Sequence, residues 1–396
     1  MFNFDEIIDR KGTDCIKYDS LLNTYGRDDL GSFWIADMDF RTPGFITDAL
    51  KKRLEHPIFG YPCVPDDYYR IISGWVGSTH GWQVDSDHIR YIPGIVKGIA
   101  FAERCFLHPG DKVVIQPPVY HPFRNVPEGL GHEVVTNPLI PVYGSEGELV
   151  TYRMDFKDLD AKLEADPAIR VLILSNPHNP CGIAWDRETL EQLADVAARH
   201  NILVISDEIH SEMVLGGGRH IPFASVSEEA ASHSITFQAP SKTFNIAGIV
   251  SSYAIVPDPE IRETFFHYLD AGELDSPCIF SPIATMAAYS KGKAWRAEML
   301  DYVQGNVDFV DSFLREHIPA IHCVRPQASF LVWLDCRALG LGHDELIDLF
   351  VNKAGLALND GAMFGEQGSG FMRLNIGCPR ATLRTAMEQL EKAINK

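Results

Sequence analysis

An α/β fold, with a mostly parallel sheet between helices and a smaller α+β unit after it, is what this sequence predicts. Three observations carry that expectation. Short, wholly apolar runs alternate with helical patterns, and polar loop residues close each run within a few positions. The last third then changes to a mixed pattern of helices and strands. The chain has 396 residues, 45% hydrophobic and 22% charged, a globular composition that excludes a disordered or collagen-like protein. That length suits about two domains.

Taken in order, the clearest strands are Val113-Val114-Ile115, Val171-Leu172-Ile173-Leu174, Ile202-Leu203-Val204-Ile205 and Ile235-Thr236-Phe237. Runs without polar alternation belong to strands covered on both faces, as in a parallel sheet. Between the second and third, Leu190, Leu193, Ala194 and Ala197 fall at i, i+3, i+4 and i+7, which makes a strand–helix–strand unit. Further on come a helix over about 293–316, a strand at 329–334 and a helix near 343–354. A glycine-rich loop at 361–370, a strand at 371–376 and a terminal helix at 380–395 complete the chain. No Pro/Gly/Ser linker separates the two parts, whose boundary falls near residue 284.

Charge and cysteine usage narrow the function classes. Lys+Arg 35 against Asp+Glu 54 gives a net charge of −19, and no Lys/Arg run forms a basic patch, so neither nucleic acid nor an anionic membrane is an expected partner. No apolar stretch reaches the roughly 18 residues of a membrane span. The residues from Met1 to Asp9 lack the basic start and apolar run of a signal peptide, and the eight cysteines form no CxxC pair. A cytoplasmic location is the expectation.

Chemistry gathers just past the ends of three strands, where ligands bind in open α/β sheets. Asn176-Pro177-His178-Asn179-Pro180-Cys181-Gly182 follows the second strand, Asp207-Glu208-Ile209-His210 the third, and Ala239-Pro240-Ser241-Lys242-Thr243-Phe244-Asn245 the fourth. An amide, a carboxylate and a lysine at one sheet end are the parts that pyridoxal phosphate needs. Lysine bonds its aldehyde, the acid pairs with its ring nitrogen, and a donor holds its phenolic oxygen. No P-loop, dinucleotide fingerprint or HExxH is present, so no nucleotide or metal is expected.

These motifs, together with Trp34-Ile35-Ala36-Asp37-Met38-Asp39-Phe40, resemble the fold-type I family of pyridoxal 5'-phosphate (PLP) enzymes, aminotransferase class I and II, along nearly the whole chain. More narrowly they resemble the bacterial cystathionine β-lyase, or carbon–sulfur lyase, branch. The resemblance implies a large PLP-binding domain over 46–284, a small C-terminal domain over 285–396 and an N-terminal segment, 1–45, joining the latter. It makes Lys242 the Schiff-base lysine and proton carrier, Asp207 the acid facing the ring nitrogen, and Asn179 the amide on the phenolic oxygen. Tyr120, in Pro117-Pro118-Val119-Tyr120, becomes the aromatic stacked on the ring. His210 stands where many aminotransferases carry tyrosine. Three roles stay open for it: a bond to the cofactor, a bond to the cofactor's acid partner, or a plain core histidine.

For the phosphate, the resemblance points to a cup of Gly94, Ile95 and Val96 at a strand-to-helix turn, with Ser241 adding its hydroxyl. Val250 departs from the aspartate-aminotransferase pattern, which has a phosphate-binding arginine there. Tyr61 matches a residue that reaches the partner subunit's phosphate, which implies a homodimer with shared active sites. Arg373 matches the clamp on the substrate's α-carboxylate, and Ile35 and Ala36 line the entrance opposite it. The implied activity is β-elimination on a sulfur-containing amino acid, giving pyruvate, ammonia and a thiol. An aminotransferase shares every step up to loss of the Cα proton and is the alternative. A family member acting mainly as a regulator through protein contacts is a third reading.

Overall fold

The computed structural model describes residues 2–395. Its centre is a seven-stranded sheet of β1 (Ile89–Ile92), β2 (Lys112–Ile115), β3 (Glu133–Thr136), β4 (Ile169–Ser175), β5 (Leu203–Asp207), β6 (Ser234–Gln238) and β7 (Ser252–Ile255). The spatial order is β1-β7-β6-β5-β4-β2-β3. All neighbours run parallel except β7, which is antiparallel to both β1 and β6. The apolar runs explain this arrangement. Val171, Leu172, Ile173, Leu174, Val204, Ile205, Ile235 and Phe237 are all buried, and successive residues point to opposite faces, so both faces must be covered.

Helices supply the cover. Asp186 caps the helix Arg187–His200 by accepting from the Thr189 amide, and Asn201, at φ +49°, ends it in the left-handed region. The helix Ile95–Phe106 lies tightly on the opposite face. A Cβ on its Gly98 would stand 2.9 Å from both Ile92 Cγ2 and Phe237 Cε1, so only glycine permits this approach.

A second sheet holds β8 (His322–Val324), β9 (Leu331–Asp335), β10 (Asn359–Asp360) and β11 (Phe371–Asn375), in the order β8-β9-β11-β10 and wholly antiparallel. The long helix Lys293–His317 and the terminal helix Arg380–Ile394 share a core with it. The N-terminal segment joins this part of the chain, because Gly31–Ser32 pairs in parallel with Leu356–Ala357.

Three details depart from the sequence expectations. The strand expected from residue 329 starts at Leu331, after Ser329 turns left-handed at φ +77°. The helix near 343–354 is α-helical only over His343–Asp348, then widens into a π turn over Leu349–Lys353. The glycine-rich loop folds into two short turns, Gly361–Phe364 and Glu366–Gly368. A Cβ on Gly361 would meet the Gly368 carbonyl at 2.2 Å, which accounts for the glycines there. Among the described residues, no helix is long and apolar enough to cross a membrane.

Candidate active site

The C-terminal ends of β4, β5 and β6 bring the three polar loops together. Asp207 is the last residue of β5, and its Oδ1 accepts from the Ile209 amide at 3.0 Å. Burial pushes its carboxyl up to about 7, against which the nearby Lys242 charge works. A cation placed against Asp207 would restore its charge, the pairing expected of a protonated ring nitrogen. Lys242 Nζ donates to the Ala36 carbonyl at 2.5 Å, and burial pulls its amine down to about 8. A buried lysine near neutrality is suited to carry a proton.

Asn179 and Arg373 prove to be bonded partners. Arg373, in the middle of β11, donates from Nη1 to Asn179 Oδ1 at 2.9 Å. From Nη2 it donates to Asn359 Oδ1 at 2.5 Å and to the Trp34 carbonyl at 3.0 Å. Its carbon Cζ lies 5.0 Å from the centre of the Phe364 ring. The guanidinium is 4% exposed, has no carboxylate among these partners, and keeps Nε buried without a hydrogen bond. Burial lowers it to about 10. A cation so held attracts an incoming carboxylate.

A small cavity lies among these groups, lined by Ala36, Ile95, Val96, Tyr120, Asn179, Asp207, His210 and Lys242. Tyr120 is fixed at the mouth of the Asn179 loop, its amide donating to the Asn179 carbonyl at 3.0 Å. Gly94, at φ +113°, turns the chain from β1 into the helix Ile95–Phe106, whose first amides and positive dipole end face the cavity. Ser241 is buried beside Lys242. Val250 is left-handed at φ +56°, and its carbonyl accepts from Tyr91 Oη at 2.8 Å and Ser281 Oγ at 3.3 Å. The donor set fits pyridoxal phosphate: an amine for the aldehyde, an acid for the ring nitrogen and helix amides for the phosphate.

His210 is buried, edge-on to Phe330 with ring centroids 6.2 Å apart, and its Nδ1 has no partner. Among the described residues no hydrogen bond joins it to Asp207. Burial holds it down to about 3, and the Lys242 and Arg373 charges add to this, so it is a neutral ring in the cavity wall. Ile35 and Ala36 border a second, wider and more open cavity that also reaches Lys242. Tyr61 is not brought to either cavity. It stands fully exposed, near the exposed Ile58 and Phe59.

Several functional neighbours were not singled out from sequence. Asn375 Nδ2 holds the carbonyls of Ile35 and Asp37 at 2.6 and 2.7 Å. Asn245 Nδ2 holds those of Met38 and Phe40 at 2.7 and 2.8 Å. Asn245 lies inside the lysine motif quoted above, three residues after Lys242, and Asn375 lies in the expected strand 371–376, two residues after Arg373, which was the available signal. Glu208, next to Asp207, is wholly buried and accepts from the Phe223 amide, Ser206 Oγ and Gln238 Nε2, and lies 2.8 Å from His220 Nε2. It pins the strand end that carries Asp207.

Comparison with known proteins identifies the family. Residues 39–390 match the model of the family described as aminotransferase class I and II. A cystathionine β-lyase of Bacillus subtilis, PatB, is 42% identical over 99% of this chain and 100% of its own. A PLP-bound protein of Clostridium difficile 630, provisionally named an aminotransferase, superposes with a TM-score of 0.95 at 38% identity, covering 100% of both chains. The PLP-bound C–S lyase of Staphylococcus hominis gives a TM-score of 0.91 at 29% identity, covering 100% of this chain and 99% of its own. The chain belongs to the aminotransferase class I and II family.

Proposed function

We propose that this member of the aminotransferase class I and II family is a PLP-dependent carbon–sulfur β-lyase acting on sulfur-containing amino acids, with L-cystathionine as the type substrate. The observation that carries the amino-acid chemistry is the pair Lys242 and Asp207 on one cavity, with the buried Arg373 bonded to Asn179 in the wall of that cavity. The lyase outcome is supported by the 42% identity, end to end, with a cystathionine β-lyase.

Arg373 would take the substrate's α-carboxylate, which supplies the countercharge that its amide partners do not. With the carboxylate fixed, Cα faces Lys242, whose amine near neutrality accepts the Cα proton. Bound pyridoxal phosphate supplies an electron sink for the pair left at Cα. Asp207 keeps that sink protonated by opposing charge at close range in a dry site. The Cα pair then forms the Cα–Cβ double bond and the Cβ–S bond breaks, its electrons leaving on a thiolate. Water converts the remaining three-carbon fragment to pyruvate and ammonia. Ala36 offers its carbonyl as a resting place for the Lys242 amine between proton transfers.

The same reading takes 46–284 as the cofactor domain and 285–396, with 1–45, as the smaller one, supported by the pairing of Gly31–Ser32 with Leu356–Ala357. It also takes the enzyme as a homodimer in which Tyr61 reaches the partner's phosphate, supported by the exposed Ile58, Phe59 and Tyr61 on one loop. A cytoplasmic location suits eight free cysteines.

The name given to the Clostridium difficile protein keeps the aminotransferase as the second reading. Incubating purified protein with L-cystathionine and assaying pyruvate and thiol separately distinguishes the two. Thiol release supports the lyase; amino transfer to an added keto acid, without thiol, supports the alternative.

A further inference from the structure

Every backbone carbonyl from Trp34 to Met38 accepts a hydrogen bond from a side chain, as Phe40 does also. Trp34 takes one from Arg373, Ile35 from Asn375, Ala36 from Lys242, Asp37 from Asn375 and Lys17, and Met38 from Asn245. This segment is thus a bar stretched between the lysine loop and the arginine strand. Asp37 sits at its middle, one residue beyond the carbonyl that holds Lys242, and borders the wider cavity together with that lysine. Arg10 grips Asp37 with both ends of its fork, Nη1 to Oδ1 at 2.9 Å and Nη2 to Oδ2 at 2.8 Å. Arg10 also bonds Asp39 at 2.8 Å and Cys15 Sγ at 2.8 Å, and Lys17 Nζ lies 3.6 Å from Asp37 and 2.9 Å from Asp39. Such a bidentate, largely buried pair fixes direction as well as charge.

We propose that Asp37 is a second electrostatic partner of Lys242, a positioning residue on the wider cavity that this lysine also borders, and that Arg10 sets how much of its charge the lysine feels. The proposal rests on the reading of Lys242 as the cofactor lysine and adds the group that tunes it. The charged groups facing Lys242 are Asp37, Arg373 and Asp207, with neutral His210 and Tyr120 in the same wall. Those facing Asp37 are Arg10, Lys17 and Lys242, with Asp39 behind the two cations. The electrostatics agree with the geometry. Burial lowers the Lys242 amine, and among the groups that oppose this Asp37 ranks ahead of Asp207. Burial also works against charge on Asp37, but Arg10, Lys17 and Lys242 outweigh it and hold its carboxyl below the usual range.

The two halves of the ion pair should therefore act on Lys242 in opposite senses. The test uses the cofactor-loaded enzyme and reads the pH midpoint of its visible absorbance, which reports the proton on the lysine nitrogen. Asp37→Asn removes a carboxylate and should lower the midpoint by about one pH unit, the low end of what a nearby charge produces. Arg10→Gln uncovers that carboxylate and should raise the midpoint, while Arg10→Lys, which keeps the charge, should return it toward wild type. A purely structural role would move both variants in the same direction or neither, and either result overturns the proposal. Should Asp37→Asn fail to fold, the raised midpoint in Arg10→Gln and its return in Arg10→Lys still decide the matter. Wild-type protein that takes up no pyridoxal phosphate would instead refute the cofactor reading itself, so the two failures are distinguishable.

Discussion

Replacing Arg373 by alanine should cost the enzyme its grip on the α-carboxylate while leaving the chemistry at Cα in place. Its guanidinium is buried, bonded only to amides and a carbonyl, and unpaired at Nε, so an arriving carboxylate forms a desolvated ion pair. Truncating one side of such a pair costs roughly 2–5 kcal/mol. At about 1.36 kcal/mol per factor of ten, that is roughly a 30- to 5,000-fold loss in kcat/KM. The loss should fall mainly on KM, because the carboxylate is bound alike before and during proton removal. Arg373→Lys keeps the charge but lacks the fork, and should lie between wild type and alanine. The assay is steady-state kinetics on an S-substituted cysteine, paired with binding of the same compound lacking its carboxylate. The alanine variant should weaken only the carboxylate-bearing ligand. Equal weakening of both ligands, or an unchanged KM, would refute the clamp.

Other expectations follow from buried groups. In cofactor-free protein, Lys242 is lowered by burial from 10.5 to about 8. The protonated amine therefore costs stability below pH 8, and the cost fades as pH rises toward 10.5. Lys242→Met should accordingly stabilise the apoprotein against urea by about 3 kcal/mol at pH 7, with the advantage shrinking by pH 10; an advantage independent of pH would contradict this. Glu208→Ala strips the acceptor from several buried donors at about 1–3 kcal/mol each, and unfolding should show a loss of at least that size together with weaker cofactor retention. Mixing Lys242→Ala with Tyr61→Ala chains should restore some activity, because a mixed dimer keeps one intact site; no recovery despite proven subunit exchange would mean that each chain builds its own.

The central sheet was legible because strands buried on both faces leave uninterrupted apolar runs, as Val171 to Leu174 do. Asp207 and Lys242 were legible for a related reason: a charged residue just past such a run has only the sheet end to occupy. Asn359 was not. It belongs to a two-residue strand, and only its register opposite Arg373 in the second sheet brings it to the guanidinium. The Arg10–Asp37 pair was hidden likewise, since the partners lie 27 residues apart on segments without periodicity. Tyr61 was proposed by resemblance and stands exposed in the single chain, away from both cavities. The π turn at Leu349–Lys353 continues an apolar pattern that reads as ordinary helix.

The claim of β-elimination is tested most directly by counting products per bound cofactor without any keto acid. A lyase returns its cofactor unchanged after each turnover, whereas an aminotransferase stops after one half-reaction. Purified enzyme given excess L-cystathionine should release pyruvate, ammonia and thiol in equal amounts, continuing far beyond one equivalent per site. Product formation that halts near one equivalent, resumes only on adding a keto acid and yields no thiol would contradict the account.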